Sequence, residues 1–427
     1  MIPFVFSSQV LAGIESGAYE IVRNKTTGQL IGIARDKITG QFVEVAKASV
    51  INSSGLFGLL SSPLNLVTSG AIMYQNHRGF QKTYSILDNI QTSIGVLQGT
   101  TALIGLGTIT GMGLSAVNLY QVLKLKENVK QLQLEIKDGF IDLKELLAKD
   151  KQEIIDRINL IARDTEFRQH RIILSQAYNR FIQATNCLKN ALKIEDEVKR
   201  NAAINIAQKI LYDALADYKN PVLQENNNLA GNLRIKECSW IIEQTLIITY
   251  QLQNIYSVVT DRLLDLQKTI RQDAIEIIDL CQSEMELDFI FPEINYIRDR
   301  DLVSLENWHD SLSWMMSLSS AEHQMLIDLT IDQEREKSDT ENIIEPEFRE
   351  RDSYQKIKSK SHFKALKDLL KFAIAPELRT DYETYISQAA VQQNRPALAP
   401  SNWQEIPHLT VANIYWYFKD LEQVEIN

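Results

Sequence analysis

Between Leu233 and Phe289 the chain runs for about 57 residues without a proline or a glycine, enough to reach on the order of 85 Å as a single α-helix at 1.5 Å per residue. Proline breaks the helical hydrogen-bond ladder and glycine weakens it, so a run free of both favours long helices over a loop-rich β fold. With only 9 prolines and 17 glycines in 427 residues, the rest of the chain offers few break points. The expected fold is mainly α: an elongated bundle of long amphipathic helices.

Apolar periodicity extends that expectation in both directions. Val122, Leu125, Val129, Leu132 and Ile136 recur at spacings of 3 and 4, the seam of a helix that packs along a partner. The pattern stutters near Gly139 and resumes through Leu143, Leu146, Ile154, Ile158 and Ile161. Helical spacing continues from about Thr165 to Lys219, broken near Glu195 to Lys199, and stops in a loop marked by Pro221, three asparagines and Gly231. Beyond Pro292 a shorter amphipathic helix is expected from about Asp301 to Leu329, then a charged solvated stretch. Helices near Ser361–Ala375 and Glu377–Val391 follow, and a proline-punctuated connection leads to an aromatic tail from Val411.

The exception is near the N-terminus, where a twelve-residue unit repeats. NKTTGQLIGIAR, from Asn24 to Arg35, is followed directly by DKITGQFVEVAK, from Asp36 to Lys47. Asn24 and Asp36 suit the start of a turn, and Gly28 and Gly40 supply the positive φ such turns need. With Tyr19–Val22 in front, the repeat reads as three short strands of a β-meander, too small to stand without packing on something else.

A second departure is compositional. The chain is 23% charged, yet residues 48–123 hold only Arg78, Lys82 and Asp88 as formal charges, and nothing charged lies between Asp88 and Lys124. Thr101–Leu123, the denser half, exceeds the roughly 20 residues that cross a bilayer as a helix. Gly95 with Gly99, and Gly107 with Gly111, form two GxxxG pairs, and with Gly105 and Gly113 they place small residues where another helix can approach closely. Two readings follow: a segment that inserts into a membrane, its threonines, serines and glutamines keeping it soluble beforehand, or a core helix permanently covered by long neighbours. Glycine in a helix interior costs about 1 kcal/mol relative to alanine, which weighs against a purely structural soluble helix.

The same glycines do not cradle a phosphate. A P-loop needs lysine and a hydroxyl residue after its last glycine, where Leu114 and Ser115 stand; the spacing of Gly105, Gly107 and Gly111 also misses the dinucleotide fingerprint. Glu306/His309 and Glu405/His408 each have Glu-x-x-His spacing, one element of a di-iron site, but Pro407 interrupts the second. His77, His170, His323 and His362 belong to no metal or hydrolase motif. Trp240, Trp308, Trp314, Trp403 and Trp416 sit mostly in apolar helix faces as core anchors. No catalytic residue, metal ligand or cofactor is nominated, and the chain is not expected to be an enzyme.

A net charge of −10 lacks the footprint of a nucleic-acid binder. Cys187, Cys238 and Cys281 are odd in number and widely spaced, as in the reduced core of an intracellular protein. The N-terminal stretch has no basic n-region and a short apolar run, so a classical signal peptide is not expected; the soluble form is placed in the cytoplasm, with membrane association on insertion.

An apolar, glycine-rich region flanked by very long amphipathic helices, with a small β element nearby, resembles the α-helical pore-forming toxins of bacteria, the cytolysin A and haemolysin B-component type. The resemblance is one of layout over Ala48–Phe289, with the β repeat preceding the apolar region rather than forming a tongue inside it. It implies a soluble form that packs the apolar part away and an oligomer that releases it into lipid. The expected division is 1–47 as a β-meander, 48–123 as the membrane-inserting region, 124–290 as a long-helix bundle and 291–427 as a C-terminal helical region. Membrane lipid and a second copy or a helical partner protein are the expected partners; nucleic acid is not. The rival reading is a soluble helical scaffold with a buried apolar helix.

Overall fold

A computed structural model describes residues 6–28, 30–46, 136–137, 140–141, 165–223, 229–325, 354 and 356–426. The described chain is mainly helical, with a small three-stranded antiparallel sheet. Helix α1 (Ser8–Glu15) leads into β1 (Tyr19–Arg23), β2 (Leu30–Asp36) and β3 (Phe42–Val45), paired in that order. The two repeat units form the two hairpins, as their turn chemistry predicts. Asn24 Oδ1 accepts from the Thr26 and Thr27 amides, Asp36 Oδ1 accepts from those of Ile38 and Thr39, and Gly28 and Gly40 take φ of 73° and 69°.

Ile136–Lys137 (β4) pairs antiparallel with Phe140–Ile141 (β5). Ile136, expected as the last position of a helical seam, is therefore in a strand. The intervening sequence is Asp138-Gly139, a dipeptide that two-residue hairpin connections favour over helix continuation. Val122, Leu125, Val129 and Leu132, and the glycines at 95, 99, 105, 107, 111 and 113, lie outside the described residues.

The helical body begins with α2 (Thr165–Ala191) and α3 (Glu197–Tyr218), separated where the periodicity breaks. Asp196 caps α3 by accepting from the Lys199 amide at 2.8 Å. The run without proline or glycine is not one rod. It forms most of α4 (Leu229–Leu252), all of α5 (Tyr256–Leu280) and the start of α6 (Glu284–Tyr296). Asn254 makes the first break by adopting φ 59°, a left-handed conformation that asparagine reaches more cheaply than most residues, while the amides of Asn254 and Ile255 bond back to Gln251 and Tyr250. Ser283 makes the second. Its hydroxyl accepts from the Glu286 amide, and the Glu286 carboxylate accepts from the Ser283 and Gln282 amides, a reciprocal cap that starts a new helix.

Pro292 lies inside α6 rather than ending it. Leu287, Phe289, Ile290, Phe291 and Ile294 are buried around it, and that burial outweighs the roughly 3 kcal/mol cost of an internal proline. The chain continues through a π-helical segment, Ile297–Leu302, into α7 (Val303–Met316). Then come α8 (Phe363–Ile374), α9 (Leu378–Gln392), two 3-10 turns at Pro396–Leu398 and Trp403–Glu405, and α10 (His408–Ile426).

Helices α2 to α5 pack each on the next; α5 also touches α7 and α8, and α6 touches α4 and α8. One core joins them, and it includes Val22, Ile31 and Ile33 of the sheet, so the meander packs on the helical body. In α5 the buried positions Val259, Leu263, Leu266, Ile270, Ala274, Ile277 and Ile278 follow a 3–4 spacing, and each larger side chain contributes about 1.5–3 kcal/mol by leaving water. Helix α8 serves two cores. Leu366, Leu370 and Ile374 face the main one, and Ala365 and Phe372 a second, made with Ile386, Ala390, Val411 and Phe418 of α9 and α10. Among the described residues no helix is long and apolar enough to cross a membrane.

Candidate functional site

Helix α4 is buried on all sides. Its Leu233, Ile235, Trp240, Ile241, Ile242, Leu246, Ile247 and Ile248 point in every direction, which requires neighbours all round. Polar side chains are nevertheless enclosed along it, among them Arg234, Glu237, Gln244, Thr249 and Gln251. Buried polar groups cost free energy unless paired, so their partners fix how the helix sits.

Each neighbour supplies at least one partner. Towards α3, Gln208 Nε2 donates to Thr249 Oγ1 at 2.9 Å. Towards α5, Trp240 Nε1 donates to Asp273 Oδ2 at 2.7 Å, and the Lys236 ammonium reaches Asp273 Oδ1 at 2.6 Å. Towards α7, Trp308 Nε1 donates to Gln251 Oε1 at 2.9 Å. Towards α6 the link is ionic. Arg234 Nη2 lies 2.7 Å from Glu293 Oε2, while Arg234 Nη1 donates to Glu237 one turn along α4.

That last cluster has the chemistry of a site. Arg234, Glu237 and Glu293 expose only 4%, 3% and 3% of their side chains, and the Phe289 ring centroid lies 5.7 Å from the guanidinium carbon. Two carboxylates share one guanidinium, so the three groups, fully ionised, sum to one negative charge out of water. Burial pushes the Glu237 carboxyl up to about 7; Arg234 pulls it down, and Glu293 adds to the rise by repulsion. Burial works against the Arg234 charge as well, but Glu237 and Glu293 together hold it above the ordinary arginine value. Next along the helix, burial and the Glu237 charge raise the Cys238 thiol, whose side-chain bond is to Tyr218 of α3. The arrangement can hold a proton or release one near neutral pH.

The residues singled out by sequence fall elsewhere. Glu306 and His309 lie one turn apart on α7, where His309 Nδ1 sits 3.4 Å from Asp310 Oδ1. Glu405 belongs to a 3-10 turn, and His408 opens α10 beside Arg379 Nη1 at 3.1 Å, so the second pair does not share a helix. Among the described residues no group of three or more His, Cys, Asp or Glu is placed to hold a metal ion. All three cysteines are free thiols. Trp240, Trp308 and Trp314 are core anchors, as expected; Trp403 and Trp416 are half-buried in the second core. The glycines at 95–113 and the seam from Val122 to Leu132 cannot be placed against this site, being outside the described residues.

Arg234, Glu237 and Glu293 were not anticipated. The available signal was an Arg-x-x-Glu pair inside an otherwise apolar run, but its second acid lies 56 residues further along the chain from Glu237. The fold and site together define a mainly helical protein with a small antiparallel sheet and an ionised core helix. Compared with protein-family models, with curated proteins and with solved structures, the chain shows no match.

Proposed function

We propose that this is a membrane-inserting helical protein that oligomerises, forming a pore, with residues 48–123 as the inserting region. The observation that carries the reading is the sequence of that region: three formal charges in its whole length, and two GxxxG pairs at Gly95/Gly99 and Gly107/Gly111 for helix contacts in lipid. The packing of the flanks supports it. Val22, Ile31 and Ile33 of the sheet before the region and Leu174, Ala177 and Phe181 of α2 after it belong to one core, so a folded body holds both flanks. The layout resembles that of the α-helical pore-forming toxins. In this reading the amphipathic helices beyond Lys124 make an elongated bundle, and copies assemble along its seams, including Val122, Leu125, Val129 and Leu132.

The test is vesicle leakage with flotation. Purified full-length chain added to dye-loaded liposomes is expected to float with them and release dye, and Gly107→Leu with Gly111→Leu to weaken assembly while leaving the soluble fold intact. Neither leakage nor co-flotation across lipid compositions and pH would sink the reading. A collapse of soluble folding in the double variant would instead favour a scaffold that keeps this region covered. Helix α4 gives that second reading its support, since this fold already encloses one helix on all sides.

A further inference from the structure

We propose that Glu237, which shares the Arg234 guanidinium with Glu293, is a proton-binding site that fastens α6 to α4, closed while Glu237 carries its proton and loosened when that proton leaves. The geometry is a fork on one cation. Glu237 sits one turn from Arg234 on α4 and Glu293 reaches the same guanidinium from α6, 2.7 Å from Nη2. With one proton the cluster is neutral: Arg234 positive, one carboxylate negative, one carboxylic acid. Without it, two anions face one cation with no water to spread the charge.

From α4 the cluster meets Arg234 and the neutral Cys238 thiol; from α3, Tyr218 bonds that thiol; from α6 come Glu293 and the uncharged Phe289 ring. Among the described residues Arg234 is the cation acting on Glu237. Glu237 is the group whose affinity for the proton rises, its carboxyl sitting at about 7 against 4.5 in an unfolded chain. The proton is therefore held more tightly by the folded form than by the unfolded one. Stability from this site is fully present below about pH 4.5 and is lost as the pH rises through about 7.

Release of α6 has a direction to travel. The π-helical segment 297–302 and α7 follow it directly, and α7 carries the sheet through Asn24 Nδ2 to the Asp310 carbonyl and through Phe42 against Trp314. Regulation of membrane insertion by pH is the consequence that rests on the proposed function; the proton site itself does not.

The experiment therefore uses the full-length chain in buffer without lipid. Infrared difference spectra between about pH 5 and about pH 8 are expected to show the C=O stretch of a buried carboxylic acid that disappears on raising the pH and is missing from Glu237→Gln. Hydrogen exchange of α6 peptides, corrected for intrinsic rates, is expected to quicken by roughly tenfold for each pH unit up to about 7 in the native chain, to level off above it, and to lose that dependence in the variant. If Glu237→Gln does not fold, Glu293→Gln takes its place: with the repulsion of Glu293 gone, Glu237 gives up its proton at a lower pH and the band fades earlier than in the native chain. A native chain with no such band, or α6 exchange with the same pH dependence in native and variant chains, overturns the proposal. Vesicle leakage failing while the band and its loss are observed would count against membrane insertion and leave the proton site standing.

Discussion

Asn24 Nδ2 donates to the Asp310 carbonyl at 3.2 Å across 286 residues of sequence, so the turn of the first hairpin is fastened to α7. The same side chain organises its own turn through Oδ1. Asp36, its counterpart in the second repeat unit, makes the equivalent turn but faces solvent. Equal sequence roles thus carry unequal energetic weight. Asn24→Ala is expected to cost about 1–3 kcal/mol, because it removes the bond to α7 together with those inside the turn, and Asp36→Ala, which removes turn bonds alone, less. Urea denaturation of both variants checks this, and equal losses would show that the sheet is not anchored through Asn24.

The break between α4 and α5 depends on one residue's tolerance of positive φ. Asn254 adopts φ 59°, and its Oδ1 accepts from Tyr256 Oη at 2.8 Å. A β-branched side chain at this φ is strained. Asn254→Val is expected to lower stability by about 1–3 kcal/mol, strain plus the lost bond, whereas Asn254→Gly stays within about 1 kcal/mol because glycine enters this region freely. Thermal unfolding that ranks valine equal to or above glycine would mean that the α4–α5 connection tolerates other conformations.

These two positions show what local chemistry can announce. The hairpins were legible because Asn24, Asp36, Gly28 and Gly40 act within four residues of themselves, and the break before α3 because Asp196 caps its own helix. Asn254 was hidden because an asparagine in an apolar helical run carries no compulsory break, and the helix bends back only because α4 and α5 gain a shared core by doing so. Ser283-x-x-Glu286 was readable as a helix start yet outweighed by the continuous periodicity on either side of it. The ionised cluster was illegible for a different reason. Arg234 and Glu237 look like a solvated face in any helix, and burial is decided by neighbours that close around α4 from distant parts of the chain.

Gln251 and Trp308 meet in the interior between α4 and α7, with the indole donating at 2.9 Å. Trp308 exposes 2% of its surface, so its N–H has no water to turn to. Gln251→Leu keeps the volume roughly constant and strands that donor, with an expected cost of about 1–3 kcal/mol. Adding Trp308→Phe to Gln251→Leu removes the stranded donor and is expected to restore part of the loss, a coupling that a double-mutant cycle reads directly. Strictly additive losses would show that the hydrogen bond contributes nothing beyond the packing of the two side chains.

The three thiols differ in burial, and their reactivity is expected to follow. Cys238 is enclosed between α4 and α3, and burial together with the Glu237 charge holds its thiol far above the ordinary value. Cys281, at the end of α5, is pushed up to about 11 by burial, with Lys367 pulling the other way and Glu286 adding to the rise. Cys187 is half-buried on α2. Only the thiolate reacts with an alkylating reagent, and each unit of raised pKa lowers its population about tenfold at neutral pH. Brief treatment of the native chain near pH 7 is therefore expected to modify Cys187 first and to leave Cys238 untouched, with all three labelled in denaturant. Peptide mass spectrometry gives the order; early labelling of Cys238 would mean that α4 is not the closed centre of the fold, and the buried Arg234–Glu237–Glu293 cluster beside it would lose its dry surroundings.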